Sequence, residues 1–406
     1  MRAAFVFLLL SAVSLPAADL VLTGATVYTS PEDGPIRNAT VLIRGGKIAA
    51  VGAVGSVKVP GGAKVINCSG KVITAGFWNS HVHILTPGLL HAREAKAAAL
   101  NGELDGMLNR WGFTTVFDIA SILENTQVLR KRIESGEVRG PHIKTVGEPL
   151  VTEVPVYARD FLAANHLQFP LVETPTEAAA QVRDLAARGA DGIKIFTGSL
   201  QGDHVDNMPV DMVRAAVNEA HRHGLPVFAH PQNTEGLKAA LDGGVDILAH
   251  TAPGSPAWTI DFVRSLVHAH VALIPTLTLW DFEARKGDMK PEARLSWIAA
   301  MEGQLRAFSQ GGGEVLFGTD VGYTDHYDTA MEYTLMSQAG LTFPQILASL
   351  TTAPARRFRA SGHSGMVGAG MDADLVVLDG DPAKDITALS KVHLSIRGGA
   401  VIYEDR

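Results

Sequence analysis

Two histidine pairs with the same spacing are the first candidates for chemistry in this sequence. His81 and His83 flank a valine in FWNSHVHI, and His268 and His270 flank an alanine in VHAHV. On a β-strand, residues i and i+2 point to the same side, so either pair can present two imidazoles to one metal ion. Imidazole nitrogens suit Zn²⁺ and similar transition metals. The spacing predicts a metal clamp but does not choose between the pairs.

Four more residues of metal-ligand or base type lie in or at the ends of short apolar runs. Lys194 lies in DGIKIFTG, His230 ends LPVFAH, His250 ends VDILAH, and Asp320 ends EVLFGTD. If these runs are strands of one sheet, their ends can bring the side chains together. The elements that carry them therefore decide whether a site exists.

Eight short apolar runs alternate with helical patterns between about residues 73 and 362. The runs are VITAGFW, TTVFDIA, HIKTVG, DGIKIFTG, LPVFAH, VDILAH, VALIPTL and EVLFGTD. Eight β-then-α units predict an α/β fold, a (β/α)8 TIM barrel. A doubly wound open sheet is the alternative, but no G-x-G-x-x-G opens a helix after the first strand.

Position relative to the strands separates the two histidine pairs. Catalytic groups of a barrel lie at the C-terminal ends of its strands. His81 and His83 end the first run, whereas His268 and His270 precede the seventh and belong to the opposite face. Asp320 ends the eighth run, which neighbours the first in a closed barrel. The first pair is therefore the predicted metal clamp, and the second is predicted to be an ordinary surface pair.

Lys194 has two interpretations, because a lysine among apolar strand residues costs desolvation unless something compensates. It can pair with a carboxylate such as Asp118. Alternatively, it is neutral and carboxylated by CO₂, and the carbamate bridges two metals. The spacing leaves both open.

The two ends of the chain differ from the middle. Residues 19–72 and 363–406 show short alternating strands around Gly-rich turns, and we predict that they form one small β-sandwich domain. Residues 73–362 form the predicted barrel. Residues 1–18, with Arg2 before a short apolar stretch and small residues near Ala17 and Ala18, are typical of a secretory signal peptide. The protein is therefore expected to be secreted or periplasmic.

Composition excludes some classes of partner. The 406 residues are 46% hydrophobic and 19% charged, with a net charge of −7 and no long basic run. Nucleic acid and acidic membrane surfaces are therefore not expected partners. No stable membrane insertion is expected after signal cleavage. Cys68 is the only cysteine, so no intrachain disulfide can form.

The ordered set of candidate ligands resembles the amidohydrolase superfamily, in the branch with two metals and a carboxylated lysine. The flanking segments GKVITAGFWNSHVH, ILASLTTAPARRF and GMVGAGMDADLVVLDGDP also resemble that family. The segment HPQNTEGLKAALDGGVDILAHT resembles the imidazolonepropionase-like and prolidase-like members. Lys194 favours the prolidase-like, two-metal side, and the resemblance covers nearly the whole chain after the signal peptide.

The resemblance implies a role for each ligand. His81, His83 and Asp320 would hold the first metal, His230 and His250 the second, and carboxylated Lys194 would bridge them. Zinc is the metal expected from the ligand types. A hydroxide between the two divalent metals would attack the substrate, and Asp320 would act as the catalytic base.

Two departures from the family pattern lie before the first pair. Asn79 stands where the family often has aspartate, and Ala75-Gly76 stands where it often has Pro-Gly. Neither change removes a ligand. Asn79 is expected to alter how the His81 ring is held, because residues around a ligand orient it.

The substrate is expected to be a small molecule, and candidates to touch it lie in the loops. The long segment after the third run, GEPLVTEVPVYARDFLAANHLQFPLVE, is predicted to be a structureless lid or binding loop. Candidates in it and after strands seven and eight are Tyr157, Arg159, His166, Thr276, Trp280, Tyr323 and His326. An arginine would suit a substrate carboxylate, as a dipeptidase requires.

Three functions stay open on these residues. The first is hydrolysis of C–N bonds in small amides or dipeptides, including Xaa-Pro dipeptides. The second is a lactonase or phosphotriesterase with the same metals. The third is a non-catalytic periplasmic binding protein, which a complete ligand set with Asp320 disfavours. A homo-oligomer is expected because similar enzymes commonly self-associate.

Overall fold

A computed structural model describes residues 19–405. The predicted signal peptide, residues 1–18, lies outside the described residues. The strands are β1 Leu20–Val27, β2 Ile36–Arg44, β3 Lys47–Ala53, β4 Lys64–Asn67, β5 Val72–Ala75, β6 Phe77–Val82, β7 Phe113–Asp118, β8 His142–Thr145, β9 Ile193–Phe196, β10 Ser199–Gln201, β11 His204–Asp206, β12 Val227–His230, β13 Ile247–Leu248, β14 Ala272–Leu273, β15 Leu375–Leu378, β16 Val392–Arg397 and β17 Ala400–Glu404.

Most helices follow strands in the middle of the chain. They are α1 Ala97–Met107, α2 Leu123–Glu134, α3 Val156–Ala164, α4 Pro175–Ala187, α5 Val210–Arg222, α6 Thr234–Gly243, α7 Ile260–His268, α8 Leu277–Lys286, α9 Pro291–Gln310, α10 Ala330–Gln338, α11 Phe343–Leu350 and α12 Thr352–Arg357. Within residues 19–405, no helix combines the length and apolar character that a bilayer-spanning helix requires.

Both ends of the chain contribute to one sheet. Its order is β17-β16-β15-β5-β1-β2-β3, with β4 also paired to β1. Alternate residues such as Leu20, Leu22 and Ile43 fill a separate hydrophobic core, in which Cys68 is also buried. The sequence predicted a β-sandwich here. Among the described residues, the strands of the two ends belong to a single mixed sheet, and two facing sheets are not seen.

The middle of the chain carries parallel strands in two groups. One sheet has the order β6-β7-β8 and the other β9-β12-β13-β14. Single bridges join Leu150 to Ile195, Leu273 to Val315, and Val82 to Val321. The segment 315–321 thus lies between β14 and β6, where the eighth predicted run was expected. The architecture is mixed α/β, but the strands are not assigned as one closed sheet.

Two predicted segments differ in detail. The first predicted run is divided, because Val72–Ala75 pairs with the sheet of the chain ends and Phe77–Val82 begins the parallel strands. The segment after the third run is not structureless, since it contains helix α3. Its apolar positions include Leu162, which is buried, so packing of one helical face explains why the segment is ordered.

Side chains cap the beginnings of two helices that neighbour strands of the candidate site in sequence. Thr174 caps α4 by accepting a hydrogen bond from the backbone N–H of Glu177, in a capping box. Asn233 caps α6 by accepting a hydrogen bond from the backbone N–H of Gly236, and Gly244 ends that helix with a φ of 86°. These caps set where α4 and α6 begin beside strands β9 and β12, which carry Lys194 and His230.

Gly322 lets the eighth segment lie directly against the end of β6. Its φ is 99°, and a Cβ atom there would overlap the carbonyl oxygen of His83. The backbone N–H of His83 also donates to the carbonyl of Val321 at 2.8 Å. A side chain at position 322 would therefore push apart two segments that carry candidate ligands.

We expect Gly322→Ala to destabilise the fold more than a matched glycine substitution. Gly340 has a similar φ, 96°, but nothing lies within 4 Å of a Cβ built there. Gly340→Ala should lower the free energy of unfolding by only the left-handed backbone cost, about 1–2 kcal/mol. Overpacking should add about 1–3 kcal/mol for Gly322→Ala. Denaturant unfolding of both variants measures the difference, and equal losses would contradict the close approach.

Candidate metal centre

The first histidine pair and Asp320 form one buried cluster. The Nε2 atoms of His81 and His83 lie 3.3 Å apart. Asp320 Oδ1 lies 3.2 Å from the first and 2.7 Å from the second. One ligand atom from each residue falls within 4.8 Å of the others. A His-His-Asp group of this kind is typical of a metal site.

Backbone carbonyls set the proton position on both rings. His81 Nδ1 lies 3.0 Å from the carbonyl oxygen of Ala249, and His83 Nδ1 lies 2.8 Å from that of Ala120. A carbonyl only accepts, so each Nδ1 carries a proton, and each ring in its neutral form presents an Nε2 lone pair. Burial lowers the pKa of His81 to about 4, which keeps that ring neutral. With both rings neutral, the two Nε2 lone pairs face each other and the carboxylate.

Asp320 is held in a turn that aims its carboxylate at this pair. Its φ is 61°, in the left-handed region that few non-glycine residues adopt. Its backbone N–H donates to the carbonyl of His81 at 2.9 Å. Although His83 Nε2 is close, Oδ1 receives no hydrogen bond, as expected if both Nε2 atoms are unprotonated.

His250 and His230 continue the cluster on the other side. The His250 ring lies 4.6 Å from that of His81 and 4.7 Å from that of His230, between centroids. His230 Nε2 lies 3.2 Å from Gln232 Oε1. A proton on Nε2 would be shared with that oxygen, and Nδ1 would then be the free nitrogen. Burial lowers the pKa of His230 to about 3 and that of His250 well below its usual value.

Thr276 orients the His250 ring. The Thr276 hydroxyl donates to the carbonyl of Pro275 at 2.9 Å and lies 2.7 Å from His250 Nδ1. With the hydroxyl proton directed at this carbonyl, His250 Nδ1 is the donor and Nε2 keeps its lone pair. Thr276 has a φ of 44°, unusual for a β-branched residue. Sequence reasoning had named Thr276 only as a possible substrate contact.

Lys194 lies within β9, lines the same cavity as the histidines and is 1% exposed. Burial lowers the pKa of Lys194 to about 7, against the opposing charge of Asp320. Its Nζ lies 5.4 Å from the centroid of the Phe196 ring. No carboxylate oxygen lies within 4.0 Å of this nitrogen in the part of the chain that the structure describes.

The alternative partner of Lys194, Asp118, is committed elsewhere. The Asp118 carboxylate accepts hydrogen bonds from the hydroxyls of Ser121, Thr126 and Thr145 and from the backbone N–H of Ile84. Burial raises the pKa of Asp118 despite these donors. The interpretation of Lys194 as one half of a pair with Asp118 therefore does not hold in the structure.

The second histidine pair lies elsewhere. His268 is the last residue of α7, and His270 follows it with a φ of 56°. Both are exposed, and neither lines the cavity of the cluster. This placement agrees with the surface position expected for them.

A cavity of about 510 Å³ opens onto the cluster. Its walls include every candidate ligand except His81, which is fully buried behind the others: His83, Lys194, His230, His250 and Asp320. Much of the remaining wall is apolar or aromatic, including Phe161, Phe169, Leu200, Leu279 and Trp297. The cavity can therefore bind a small molecule that has a sizeable apolar part and contacts the cluster.

The predicted substrate contacts divide into two groups. Tyr157, Trp280 and Tyr323 line the cavity. His166 and His326 are exposed and do not line it. Arg159 also lies outside the lining, because its guanidinium binds Glu153, Gln201 and the carbonyl of Val154.

Asn79 links β6 to the eighth segment. Its Nδ2 donates to Thr319 Oγ1 at 2.7 Å, and its Oδ1 accepts from the backbone N–H of His81 at 3.2 Å. It touches the backbone of His81 rather than the ring. The amide therefore fixes the backbone of His81 relative to the eighth segment. An ionised aspartate at this position would lack the N–H donor to Thr319.

Comparison with known proteins places these residues in a family. A sequence profile of the amidohydrolase family matches residues 72–402. A stretch of 107 residues, 26% of this chain and 18% of the other, is 32% identical to adenine deaminase 2 of Bradyrhizobium sp. (strain ORS 278). Ochratoxinase of Aspergillus niger is 23% identical over 403 residues, which cover 88% of this chain and 80% of that enzyme. Some curated relatives are matched over half of their length or less.

The fold also resembles solved structures over nearly its whole length. A Xaa-Pro dipeptidase with bound methionine superimposes with a TM-score of 0.80 at 23% identity, covering 96% of this chain and 100% of the other. At this identity the likeness concerns the fold alone. Together with the profile match over most of the sequence, it shows that the chain belongs to the amidohydrolase family.

Proposed function

We propose that this protein is a metal-dependent hydrolase of C–N bonds, amide or peptide-like, in small molecules. The observation that carries the proposal is the cavity whose wall combines five candidate ligands with an apolar pocket. Family membership supports it, since adenine deaminase and ochratoxinase are among the named relatives. Xaa-Pro dipeptidase-like activity is a narrower form of the same proposal.

The residues present fit a pair of divalent metals. Unprotonated Nε2 atoms of His81 and His83 and the orphaned Oδ1 of Asp320 would hold one ion, and His230 and His250 the other. The nitrogen-rich donor set favours zinc. Bound divalent metals lower the pKa of water towards about 7 and polarise a substrate carbonyl.

Lys194 is suited to carboxylation. With a pKa near 7, much of the buried amine is neutral at neutral pH. The nitrogen lone pair can add to the carbon of CO₂, forming an N–C bond while one N–H proton leaves to solvent. The resulting carbamate is an anion with two oxygens. We propose that it lies between the two metal positions.

Asp320 is proposed as the catalytic base. Its carboxylate faces the cavity from the turn after the eighth segment. It would accept a proton from the attacking water and deliver it to the leaving nitrogen. Backbone carbonyls and Thr276 orient three of the histidine rings, so the position of Asp320 relative to these ligands is fixed.

A closed (β/α)8 barrel is the arrangement that we infer for the parallel strands. The bridges Leu150–Ile195, Leu273–Val315 and Val82–Val321 support it, because each joins a sheet to its expected neighbour. In such a barrel the ligands from the first, fourth, fifth, sixth and eighth strands lie on one face.

The main competing function uses the same residues. A lactonase or phosphotriesterase would need the same metals and base, so the ligands do not distinguish it. A non-catalytic binding protein is the third possibility. We expect the metal-loaded protein to hydrolyse members of a panel of dipeptides and N-acyl amino acids faster than lactones or an organophosphate triester. Faster turnover of the esters would reject the C–N assignment.

Asp320→Asn should separate binding from chemistry. The variant keeps the size of the side chain but cannot accept the proton, so kcat on the best amide should fall roughly 10²- to 10⁴-fold. Metal content, measured by elemental analysis, should stay mostly unchanged. Asp325→Asn, at a nearby exposed carboxylate, is the control and should keep full activity. Near-full activity of Asp320→Asn would show that the base is another group.

Thr276→Val tests how the His250 ring is held. The valine keeps the branched shape but removes the acceptor for His250 Nδ1. Loss of such a partner should weaken metal binding roughly 10- to 100-fold, measured by competition with a chelator. Thr276→Ser restores the hydroxyl and should restore affinity. If valine and serine bind metal equally, the hydroxyl does not orient this ligand.

A further inference from the structure

We propose that Glu283 makes the cavity selective for substrates that carry a protonated amine in addition to the scissile amide. The inference rests on the proposed function and narrows its substrate class. It comes from a carboxylate on the cavity wall that the metal cluster does not use.

Glu283 lies on α8 and is half-buried in the cavity wall. One carboxylate oxygen, Oε1, accepts a hydrogen bond from the Tyr323 hydroxyl at 2.6 Å. Among residues 19–405, no lysine, arginine or histidine nitrogen lies within 4.0 Å of the carboxylate. A carboxylate has room for about four hydrogen bonds, so most of its capacity is open to a cationic partner.

The surroundings of Glu283 are aromatic. The Tyr323 ring lies 5.2 Å from that of Tyr157, and Trp280 lies one helical turn before Glu283 on the cavity wall. Ammonium groups are attracted to the faces of such rings. A carboxylate beside aromatic faces is therefore suited to a substrate ammonium.

Lys286 shows the same chemistry on the outer side of this cluster. Its Nζ lies 5.2 Å from the Tyr323 ring centroid and 5.9 Å from that of Phe282, and it donates to the Tyr323 hydroxyl at 3.2 Å. Lys286 is exposed and does not line the cavity. On the cavity side, Glu283 and Tyr323 are part of the wall, and Lys286 is not.

The cavity offers little to a substrate carboxylate away from the metals. No arginine is part of its wall in the described chain, and Arg159 is committed to Glu153 and Gln201. The lysine on the wall, Lys194, belongs to the metal cluster. A carboxylate placed near Glu283 would be repelled, so the charge pattern favours amines there.

Glu283 is close enough to the cluster for one small molecule to reach both. Glu283 and Asp320 line the same cavity, and Tyr323 joins them, since its hydroxyl donates to Glu283 and its backbone N–H donates to the carbonyl of Asp320 at 3.2 Å. The Trp280 ring also lies 5.8 Å from His250. A substrate with its amide at the ligands can place its amine at Glu283.

Calorimetric titration of the metal-loaded protein at pH 7 tests the selectivity without turnover. The probes are phenethylamine, benzyltrimethylammonium, which cannot coordinate a metal, and neutral 2-phenylethanol. We expect both cations to bind roughly tenfold tighter than the alcohol. Glu283→Gln keeps an acceptor for Tyr323 and should remove most of that preference. Glu292→Gln, which removes an exposed carboxylate from α9, should leave it unchanged.

Lys286→Met gives an independent measurement should Glu283→Gln fail to fold. Removing the competing ammonium should strengthen cation binding and leave alcohol binding unchanged. Equal affinity for cations and alcohol in the unaltered protein, no binding of any probe, or an unchanged preference in Glu283→Gln would overturn the inference. The titration does not measure hydrolysis. If the protein prefers cations over the alcohol but hydrolyses no amide, the proposed function is rejected and the amine selectivity stands.

Discussion

The arrangement of buried electron pairs at the end of β6 is the constraint on which the rest of the site depends. In their neutral forms, the His81 and His83 imidazoles direct their Nε2 lone pairs at each other across 3.3 Å, and the Asp320 carboxylate lies against both. Acceptors in such contact repel unless a cation lies among them. The fold therefore holds a geometry that a metal ion would stabilise, at the floor of a cavity wide enough for a small molecule.

The surrounding structure maintains this arrangement through groups that bind the Nδ1 atoms of the rings and leave the Nε2 atoms free. Carbonyls of Ala249 and Ala120 fix two ring orientations, and the Thr276 hydroxyl fixes a third. Thr276 and Asp320 both adopt left-handed backbone conformations, which cost free energy and persist where packing enforces them. The site thus depends on contacts between the ends of separate strands.

The positions of the candidate ligands could be predicted from the sequence because strand periodicity and strand ends place them. His81, His83, His230, His250 and Asp320 each lie at the end of an apolar run, and Lys194 lies within one. The orienting role of Thr276 could not be predicted, because it depends on contact with a residue 26 positions earlier. The prediction that Arg159 contacts substrate is not supported, because Glu153, Gln201 and the carbonyl of Val154 hold its guanidinium outside the cavity. The single sheet of the chain ends also depends on long-range pairing.

The metal content of the purified protein and of Lys194→Ala, measured side by side by elemental analysis, addresses the proposed two-metal centre most directly. We expect two divalent ions per chain in the unaltered protein. The count should fall in Lys194→Ala, because the bridging carbamate is lost. One ion per chain, unchanged by the substitution, would contradict the carbamate bridge and leave His81, His83 and Asp320 as a single-metal site.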